Sequence, residues 1–348
     1  MSVDALCPDG GAQWQESRRH CHGPAFDIPV IPGGYAWWYI DAISDCGQYT
    51  LTVIAFVGSV FSPWYRKARD AGTSDPLAHC AINVALHGPH GNIWVFTERP
   101  RQAHHRTASQ LDLGGGTKMR WQDGQLVVTL DEQTKPFFER MVPQLRGELR
   151  LEPGTLHGQP LALDAQGLHR WWCIAPHARL EVTLVQPEVR FSANAYHDAN
   201  HGLVPLESSF GGWNWCRGSV RAGTAVTYDT VDSAGHLRRL GIVFGRDGSR
   251  HAFRPENEVD LGRATWGIDR GVRSEGNARV LRTLEASPFY ARSLVQLHWL
   301  GQTTTGIHET LNLQRFSAPW VRFLLPWRIR RERVNAATPA LEEAAHVA

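Results

Sequence analysis

The feature that most constrains the fold is a regular alternation between β-rich runs and turns that contain glycine. The clearest case is a set of three runs separated by turns at Gly235 and Gly248: Thr224–Val231, Leu237–Phe244 and Arg250–Phe253. Glycine between two β-rich runs is typical of antiparallel hairpins, because it adopts the backbone conformations that tight turns require. This part of the chain is therefore predicted to form an antiparallel meander.

Similar runs, rich in β-branched, leucine and aromatic residues, recur along most of the chain. They lie at Tyr49–Phe61, Asn92–Glu98, Gln125–Asp131, Ala178–Val185, Arg279–Leu284, Tyr290–Trp299 and Thr304–Leu313. Helical patterning is confined to short segments such as Pro63–Ala71 and Lys135–Leu145. Strands joined by short turns favour an antiparallel barrel or sandwich over a parallel α/β sheet. The predicted fold class is therefore mostly β, with few short helices.

The length of 348 residues suits two antiparallel β-barrel halves that meet near residue 190. We expect a loosely ordered leader over residues 1–27, an N-terminal β domain over 28–190 and a C-terminal β domain over 191–316. An aromatic and arginine-rich tail is expected over residues 317–348.

Composition excludes several classes of protein. Hydrophobic residues make up 42% of the chain and charged residues 20%, which excludes a disordered protein. A net charge of +2 argues against a general nucleic-acid binder. The longest apolar run, Leu51–Phe61, is too short for a membrane-spanning helix, and the N-terminus lacks the pattern of a signal peptide. The expected location is the cytosol.

The motifs of the common cofactor-binding and hydrolytic folds are missing. The sequence contains no P-loop, no GxGxxG and no GxSxG. Its six cysteines form no CxxC pair. His197 and His201 are four residues apart, but in a β-like segment that spacing places them ~13 Å apart, too far for one ion. We therefore predict neither a metal nor a nucleotide cofactor.

Two short segments each place an ionisable group beside an aromatic residue at a spacing of two. They contain the pairs His169 and Trp171, and Tyr196 and Asp198. In an extended chain this spacing puts both members on one face, so each pair could contribute to a small-molecule site. The alternatives are a hydrogen-bonded histidine in the core or at its rim, and an aspartate that forms a turn.

Fourteen tryptophans are the other unusual feature of the composition. Two clusters, Trp37-Trp38 and Trp213-Asn214-Trp215, could be aromatic walls of an apolar cavity or ordinary core packing. Because neighbouring residues on a strand point to opposite faces, only one of Trp37 and Trp38 can line a given cavity.

The C-terminal segment combines aromatic and basic residues. Residues 315–333 contain six arginines against one glutamate, together with tryptophan, phenylalanine and leucine. That composition is typical of a membrane-surface anchor. Pro319 and Pro326 argue against one continuous helix. The alternative is a final strand followed by a basic tail.

Three longer stretches resemble the carotenoid 1,2-hydratases, also called hydroxyneurosporene synthases, of phototrophic bacteria. They are Gly33–Ala42, Leu51–Pro63 and Trp213–Gly218, and the resemblance extends over about Ile28 to Phe316. More distantly, the Trp-Trp-Tyr, Tyr-x-Asp and Trp-x-Trp motifs are similar to those of the lipocalin-like AttH proteins. The latter resemblance implies two lipocalin-like β-barrel halves.

The hydratase resemblance implies addition of water to the terminal C1=C2 bond of an acyclic carotenoid, such as neurosporene or lycopene, without a cofactor. The His-x-Trp and Tyr-x-Asp pairs that matter in that family fall here on His169, Trp171, Tyr196 and Asp198. Because such a substrate resides in the bilayer, we expect peripheral contact with lipid at the inner photosynthetic membrane.

Protonating an isolated alkene requires an acid that stays neutral near pH 7. Burial raises the pKa of a carboxyl group, so Asp198 is the expected proton donor. Tyr196 and His169 would hold this acid or orient the attacking water, with His169 as a possible proton acceptor. Trp171 would stabilise the carbocation, and the further walls would come from Trp37, Trp38, Trp213 and Trp215.

Two other functions remain open at this stage. The same barrel and tryptophan walls would serve a non-catalytic carrier of apolar ligands. An isomerase or cyclase could use the same proton donor, because hydration, isomerisation and cyclisation all proceed through the same cation.

Overall fold

The computed structural model describes residues 25–134, 144–255 and 257–332. Most of the predicted leader, most of the predicted segment Lys135–Leu145 and the end of the tail lie outside these residues. Within them the chain is mostly antiparallel β with few short helices, which confirms the predicted fold class.

Among the described residues the first sheet contains thirteen strands, namely the first twelve and, at its β4 edge, a short last strand that follows the final helix. The first twelve are β1 (Tyr35–Ser44), β2 (Thr50–Val57), β3 (Cys80–Gly88), β4 (Gly91–Arg99), β5 (His105–Arg106), β6 (Gln110–Asp112), β7 (Lys118–Gln122), β8 (Gln125–Gln133), β9 (Gln144–Pro153), β10 (Leu161–Ala162), β11 (His169–Gln186) and β12 (Glu188–Gly202). The order across the sheet is β4-β3-β2-β1-β12-β11-β9-β8-β7-β6-β5, and β10 pairs with β11. The long strands β1, β12 and β11 lie side by side at its centre.

The second sheet has seven strands in the order β16-β15-β14-β13-β21-β20-β19, and a separate hairpin is formed by β17 and β18. These strands are β13 (Phe210–Val220), β14 (Gly223–Asp232), β15 (Leu237–Gly245), β16 (Arg250–Ala252), β17 (Asn257–Asp260), β18 (Gly271–Ser274), β19 (Arg279–Ala286), β20 (Tyr290–Trp299) and β21 (Gln302–Asn312). The predicted meander is β14-β15-β16, with the turns where the glycines indicated them.

The chain passes from the first sheet to the second after Gly202 rather than near residue 190. β12 pairs with β11 along its whole length and with β1 over residues 193–202. The sheet boundary therefore falls between residues 202 and 210. Whether the two halves are separate domains stays a prediction.

Within the described residues, four short α-helices accompany the sheets: α1 (Pro63–Asp70), α2 (Leu206–Ser209), α3 (Leu313–Ser317) and α4 (Pro319–Arg328). The prediction that the tail is not one continuous helix is confirmed, because α3 ends at Ser317 and α4 begins at Pro319. Pro319 occupies the first turn, where its missing N–H is not needed, and Pro326 lies near the end of the helix. After α4 the strand β22 (Arg330–Arg331) pairs in parallel with β4. Within the described ranges, no helix has the length and apolar character that crossing a bilayer requires.

Side-chain alternation on β1 divides its residues between two hydrophobic clusters. Trp38, Ile40 and Ala42 belong to the cluster inside the first sheet. Tyr35, Trp37 and Tyr39 point the other way, into a cluster shared with the second sheet. The second cluster, which we call the inter-sheet core, is where the predicted site residues meet. They lie between the sheets rather than inside one barrel.

Candidate active site

Two Tyr-x-Asp segments lie side by side at the centre of the first sheet, on the face that contacts the second sheet. In the antiparallel register of β1 and β12, Tyr39 is opposite Asp198 and Asp41 is opposite Tyr196. The spacing of two keeps all four side chains on one face. The rings of Tyr39 and Tyr196 meet edge to face, with their centroids 6.3 Å apart.

Asp198 lies in this core with only 5% of its surface exposed. Burial raises the pKa of this carboxyl to about 8, and the nearby acidic groups Glu309 and Asp41 act in the same direction. Hydrogen bonds from Trp171 and Tyr196 oppose the shift without cancelling it. The side chain is therefore a neutral carboxylic acid through most of the neutral pH range.

The hydrogen bonds also indicate which oxygen of Asp198 carries the proton. Oδ2 accepts from Trp171 Nε1 at 2.7 Å and from the Tyr196 hydroxyl at 2.8 Å. An oxygen that accepts two hydrogen bonds is the carbonyl oxygen of the acid, so the proton belongs on Oδ1. The predicted members Trp171, Tyr196 and Asp198 are thus brought together, with Oδ1 as the oxygen that can donate.

His169 lies at the edge of this group. The Cα of His169 on β11 is opposite the Cα of Gly202 on β12. Gly202 is four residues from Asp198 along the strand, which is a distance of roughly 13 Å. The Tyr35 hydroxyl lies 2.8 Å from its Nδ1, and the Ser209 hydroxyl lies 2.9 Å from its Nε2. Burial lowers the pKa of His169 to about 4, so the ring is neutral and both of its nitrogens are occupied.

Three of the four predicted wall tryptophans belong to the inter-sheet core. Trp37 stacks on Tyr35, and Trp213 contacts Tyr228. Trp215 packs against Tyr39 and Tyr196, with centroid distances of 5.7 and 5.4 Å. Trp38 is not among them, because it faces the interior of the first sheet and packs on Phe26 at 5.2 Å.

A buried charge network beside Asp198 was not anticipated from the sequence. Asp41 forms an ion pair with Arg217 of β13, so this contact joins the two sheets. The Tyr39 hydroxyl lies 3.0 Å from Asp41 Oδ2 and 2.8 Å from Glu309 Oε1. Having one proton, this hydroxyl donates to only one of the two carboxyl groups at a time.

The network continues into the second sheet through Arg292. Its Nε donates to Glu309 at 2.8 Å, and its Nη1 pairs with Glu285. Glu285 in turn accepts from Trp94 Nε1 at 3.0 Å, which is a further polar link between the sheets. One sequence signal for these residues existed, since Tyr39 and Asp41 repeat the spacing of Tyr196 and Asp198. Arg217, Arg292 and Glu309 lie on strands without such a motif.

A family model for the carotenoid hydratase CrtC matches residues 53–337. The chain belongs to the CrtC carotenoid hydratase family. Among its relatives, an acyclic carotenoid 1,2-hydratase of Thiocapsa roseopersicina is 43% identical over 312 residues, which are 89% of this chain and 76% of that protein. The protein of the same description from Rubrivivax gelatinosus is 42% identical over 313 residues, 88% of this chain and 76% of its own length.

The fold of this CrtC family member is also found in a solved structure. A putative AttH protein of Nitrosomonas europaea superposes with a TM-score of 0.55 over 83% of this chain and 97% of its own, at 13% identity. This likeness concerns the fold alone, and it agrees with the lipocalin-like architecture expected from the sequence.

The chemistry open to this candidate site follows from its groups. It holds one protonated carboxyl beside three tyrosines, Tyr39, Tyr196 and Tyr228, whose pKa values burial raises, so all three remain neutral. Such a site can give a proton and stabilise a cation on aromatic faces. Among the described residues, no three His, Cys, Asp or Glu side chains are arranged to hold a metal ion.

Proposed function

We propose that this protein hydrates the terminal C1=C2 bond of acyclic carotenoids such as neurosporene or lycopene and yields the tertiary 1-hydroxy product. The observation that carries the proposal is the protonated carboxyl of Asp198, whose pKa burial raises to about 8 within an aromatic core. The family and the activity named for its relatives support the substrate class.

Asp198 is the proposed general acid. Its Oδ1 proton is transferred to C2, which leaves the positive charge on the tertiary carbon C1. As Asp198 becomes a carboxylate, the hydrogen bonds that Trp171 and Tyr196 donate to its Oδ2 grow stronger. These two donors therefore stabilise the transition state more than the resting acid.

Aromatic faces are proposed to stabilise the cation until water adds. Trp171, Trp215 and Tyr228 are proposed for this role, because their rings pack with one another or with Tyr196 in the inter-sheet core beside Asp198. A desolvated cation over an aromatic face gains about 2 kcal/mol or more. Trp37 and Trp213 extend this aromatic lining for the rest of the substrate end.

Asp198 is also the proposed acceptor of the proton that water loses. Water attacks C1 through its oxygen, and one of its protons passes to the carboxylate, which restores the acid without a cofactor. His169 was the candidate acceptor in the sequence analysis, but Tyr35 and Ser209 engage both of its nitrogens. Its proposed role is to position those two hydroxyl-bearing residues at the end of the core.

The test is turnover of purified protein on solubilised lycopene or neurosporene, followed by mass spectrometry for a product heavier by one water. Wild-type protein should form it, and Asp198→Asn should reduce turnover by about 10²–10⁴-fold, the usual contribution of a general acid. Asp229→Asn is the matched control, because Asp229 pairs with Arg273 on the opposite face of the second sheet.

The remaining outcomes identify the competing functions. Binding of the carotenoid without any product would indicate a carrier. An isomeric product of unchanged mass would indicate an isomerase or cyclase. Near-normal turnover by folded Asp198→Asn would remove the assignment of the acid.

We further propose peripheral binding to the inner photosynthetic membrane through α4. One face of this helix, formed by Val321 and Leu325, is buried. The opposite face exposes a stripe at helical spacing, which we call the α4 stripe: Trp320, Phe323, Leu324 and Trp327. An apolar stripe within an arginine-rich segment matches the interface of an anionic bilayer, which is where the substrate resides.

A further inference from the structure

The two Tyr-x-Asp segments are alike in spacing but differ in electrostatic partners. Asp198 accepts from two neutral donors, Trp171 and Tyr196. Asp41 instead forms an ion pair with a buried cation, Arg217. We propose that Asp41 is a positioning residue whose negative charge cancels that of Arg217 and thereby keeps the proton on Asp198. This inference rests on the role proposed above for Asp198 as the acid.

The position of Arg217 explains why its charge has to be cancelled. The guanidinium lies over the ring of Tyr196, 5.9 Å from the ring centroid, and the hydroxyl of that tyrosine is 2.8 Å from Asp198. Arg217 is 2% exposed, so water screens its charge poorly. A nearby buried cation lowers the pKa of a carboxyl group, because it favours the charged form. Arg217 without a counter-ion would therefore favour the ionised form of Asp198, which cannot donate a proton.

The charges around Asp198 are balanced in favour of its neutral form. Two cations, Arg217 and Arg292, face three acidic side chains, Asp41, Glu285 and Glu309. The tyrosine and cysteine side chains named around Asp198 are neutral, because burial raises their pKa values: Tyr39, Cys173, Tyr196 and Tyr228. The network therefore carries an excess of one negative charge, which disfavours a further anion on Asp198.

Removing one charge of the Asp41–Arg217 pair should shift the pKa of Asp198. The direction of the shift should depend on which of the two charges is removed. Asp41→Asn leaves Arg217 unbalanced, so the pKa of Asp198 should fall. Arg217→Gln leaves Asp41 unbalanced, so the pKa of Asp198 should rise. A purely structural role of the pair, which also joins the two sheets, predicts no such opposite shifts.

The experiment is an infrared titration of the full-length protein. The protonated C=O band of Asp198 is identified as the carboxylic-acid band that Asp198→Asn lacks, and its midpoint is expected near pH 8 in the wild type. We expect a lower midpoint in Asp41→Asn, a higher one in Arg217→Gln, and one near the wild-type value in the double variant Asp41→Asn/Arg217→Gln. In each variant, the pH above which the hydration rate falls should shift in the same direction as the infrared midpoint.

The control is again Asp229→Asn, which leaves Arg273 unpaired on the opposite face of the second sheet and should not move the Asp198 midpoint. If Asp41→Asn fails to fold, the Asp198 midpoints of Arg217→Gln and of the double variant still test the inference. Midpoints that stay at the wild-type value, or that move in the same direction in both single variants, overturn the inference. Opposite shifts in a protein that forms no hydrated carotenoid would support it and would reject only the proposed substrate.

Discussion

At Asp198, hydrogen bonding and burial have opposite effects on the pKa of the carboxyl group. Burial raises the pKa of its carboxyl group, whereas the Tyr196 hydroxyl stabilises the carboxylate and lowers that pKa. The donor therefore makes Asp198 a stronger acid while leaving it protonated below a pH of about 8. Hydration needs the protonated form, so the rate should be constant at lower pH and fall as the pH rises through that value.

Tyr196→Phe removes this donor with almost no change in shape. The pKa of Asp198 should rise, so the alkaline limb of kcat should move to higher pH. The plateau rate should fall about tenfold or more, because a hydrogen bond to a charged group contributes roughly 1.5–3 kcal/mol. The measurement is kcat against pH, with Tyr65→Phe as control, since the Tyr65 hydroxyl donates to Gly34 O outside the site. A lower plateau with an unmoved limb would contradict the prediction.

At this scale the sequence predicted side chains that share one strand but not those that meet across strands. The spacing of two places Tyr196 beside Asp198 on any extended segment. It carries no information on the strand opposite, and Arg217 meets Asp41 only because β13 packs over β1. Alternation on β1 also predicted that Trp37 and Trp38 would separate, but not which of them faces the site.

Among the elements, α4 combines two roles on its two faces. Val321 and Leu325 pack into the inter-sheet core next to Phe316 of α3. Deleting residues 316–333 would therefore remove core side chains together with the exposed stripe. Substitution of exposed residues alone tests membrane binding without that damage.

The double variant Trp320→Ser/Phe323→Ser should reduce binding to anionic vesicles at least tenfold, because these side chains are 46% and 69% exposed and each would bury apolar surface in lipid. Co-sedimentation with vesicles that contain anionic lipid measures this. Hydration of lycopene in the same vesicles should fall, whereas hydration of detergent-solubilised lycopene should not. Trp266→Ser, at 47% exposure in the loop between β17 and β18, is the matched control. Equal losses in both assays would reject α4 as the membrane contact.

Local sequence signals were most reliable for strands with strong alternation and glycine turns. The predicted runs at Leu237–Phe244 and Tyr290–Trp299 match β15 and β20 to within a residue. The buried strand β3, Cys80–Gly88, was not predicted, because it contains polar residues such as Asn83 and His87 on a strand whose residues are nearly all buried. The helix α4 was not predicted, because proline reduces helix propensity; Pro319 occupies the tolerated first turn, whereas Pro326 lies inside the helix.

The whole molecule depends on contacts between its two sheets. The division expected near residue 190 came from length and strand count, and neither quantity records that β12 completes the first sheet. The inter-sheet core and polar links such as Asp41–Arg217, Tyr39–Glu309 and Trp94–Glu285 join the halves. Pairing between distant parts of a chain is settled by such packing rather than by local propensity.

This arrangement predicts that the two sheets unfold together. Far-UV circular dichroism and tryptophan fluorescence should give one coincident urea transition, because the large inter-sheet core is lost when either sheet opens. Asp41→Asn should lower the midpoint strongly, since breaking a buried ion pair costs about 3–5 kcal/mol. Asp45→Asn should lower it little, because the pair of Asp45 with Arg179 is exposed. Two separated transitions in the wild type would show that the sheets are independent domains. Equal effects of the two substitutions on the urea midpoint would show that the Asp41–Arg217 ion pair does not stabilise the assembly of the sheets.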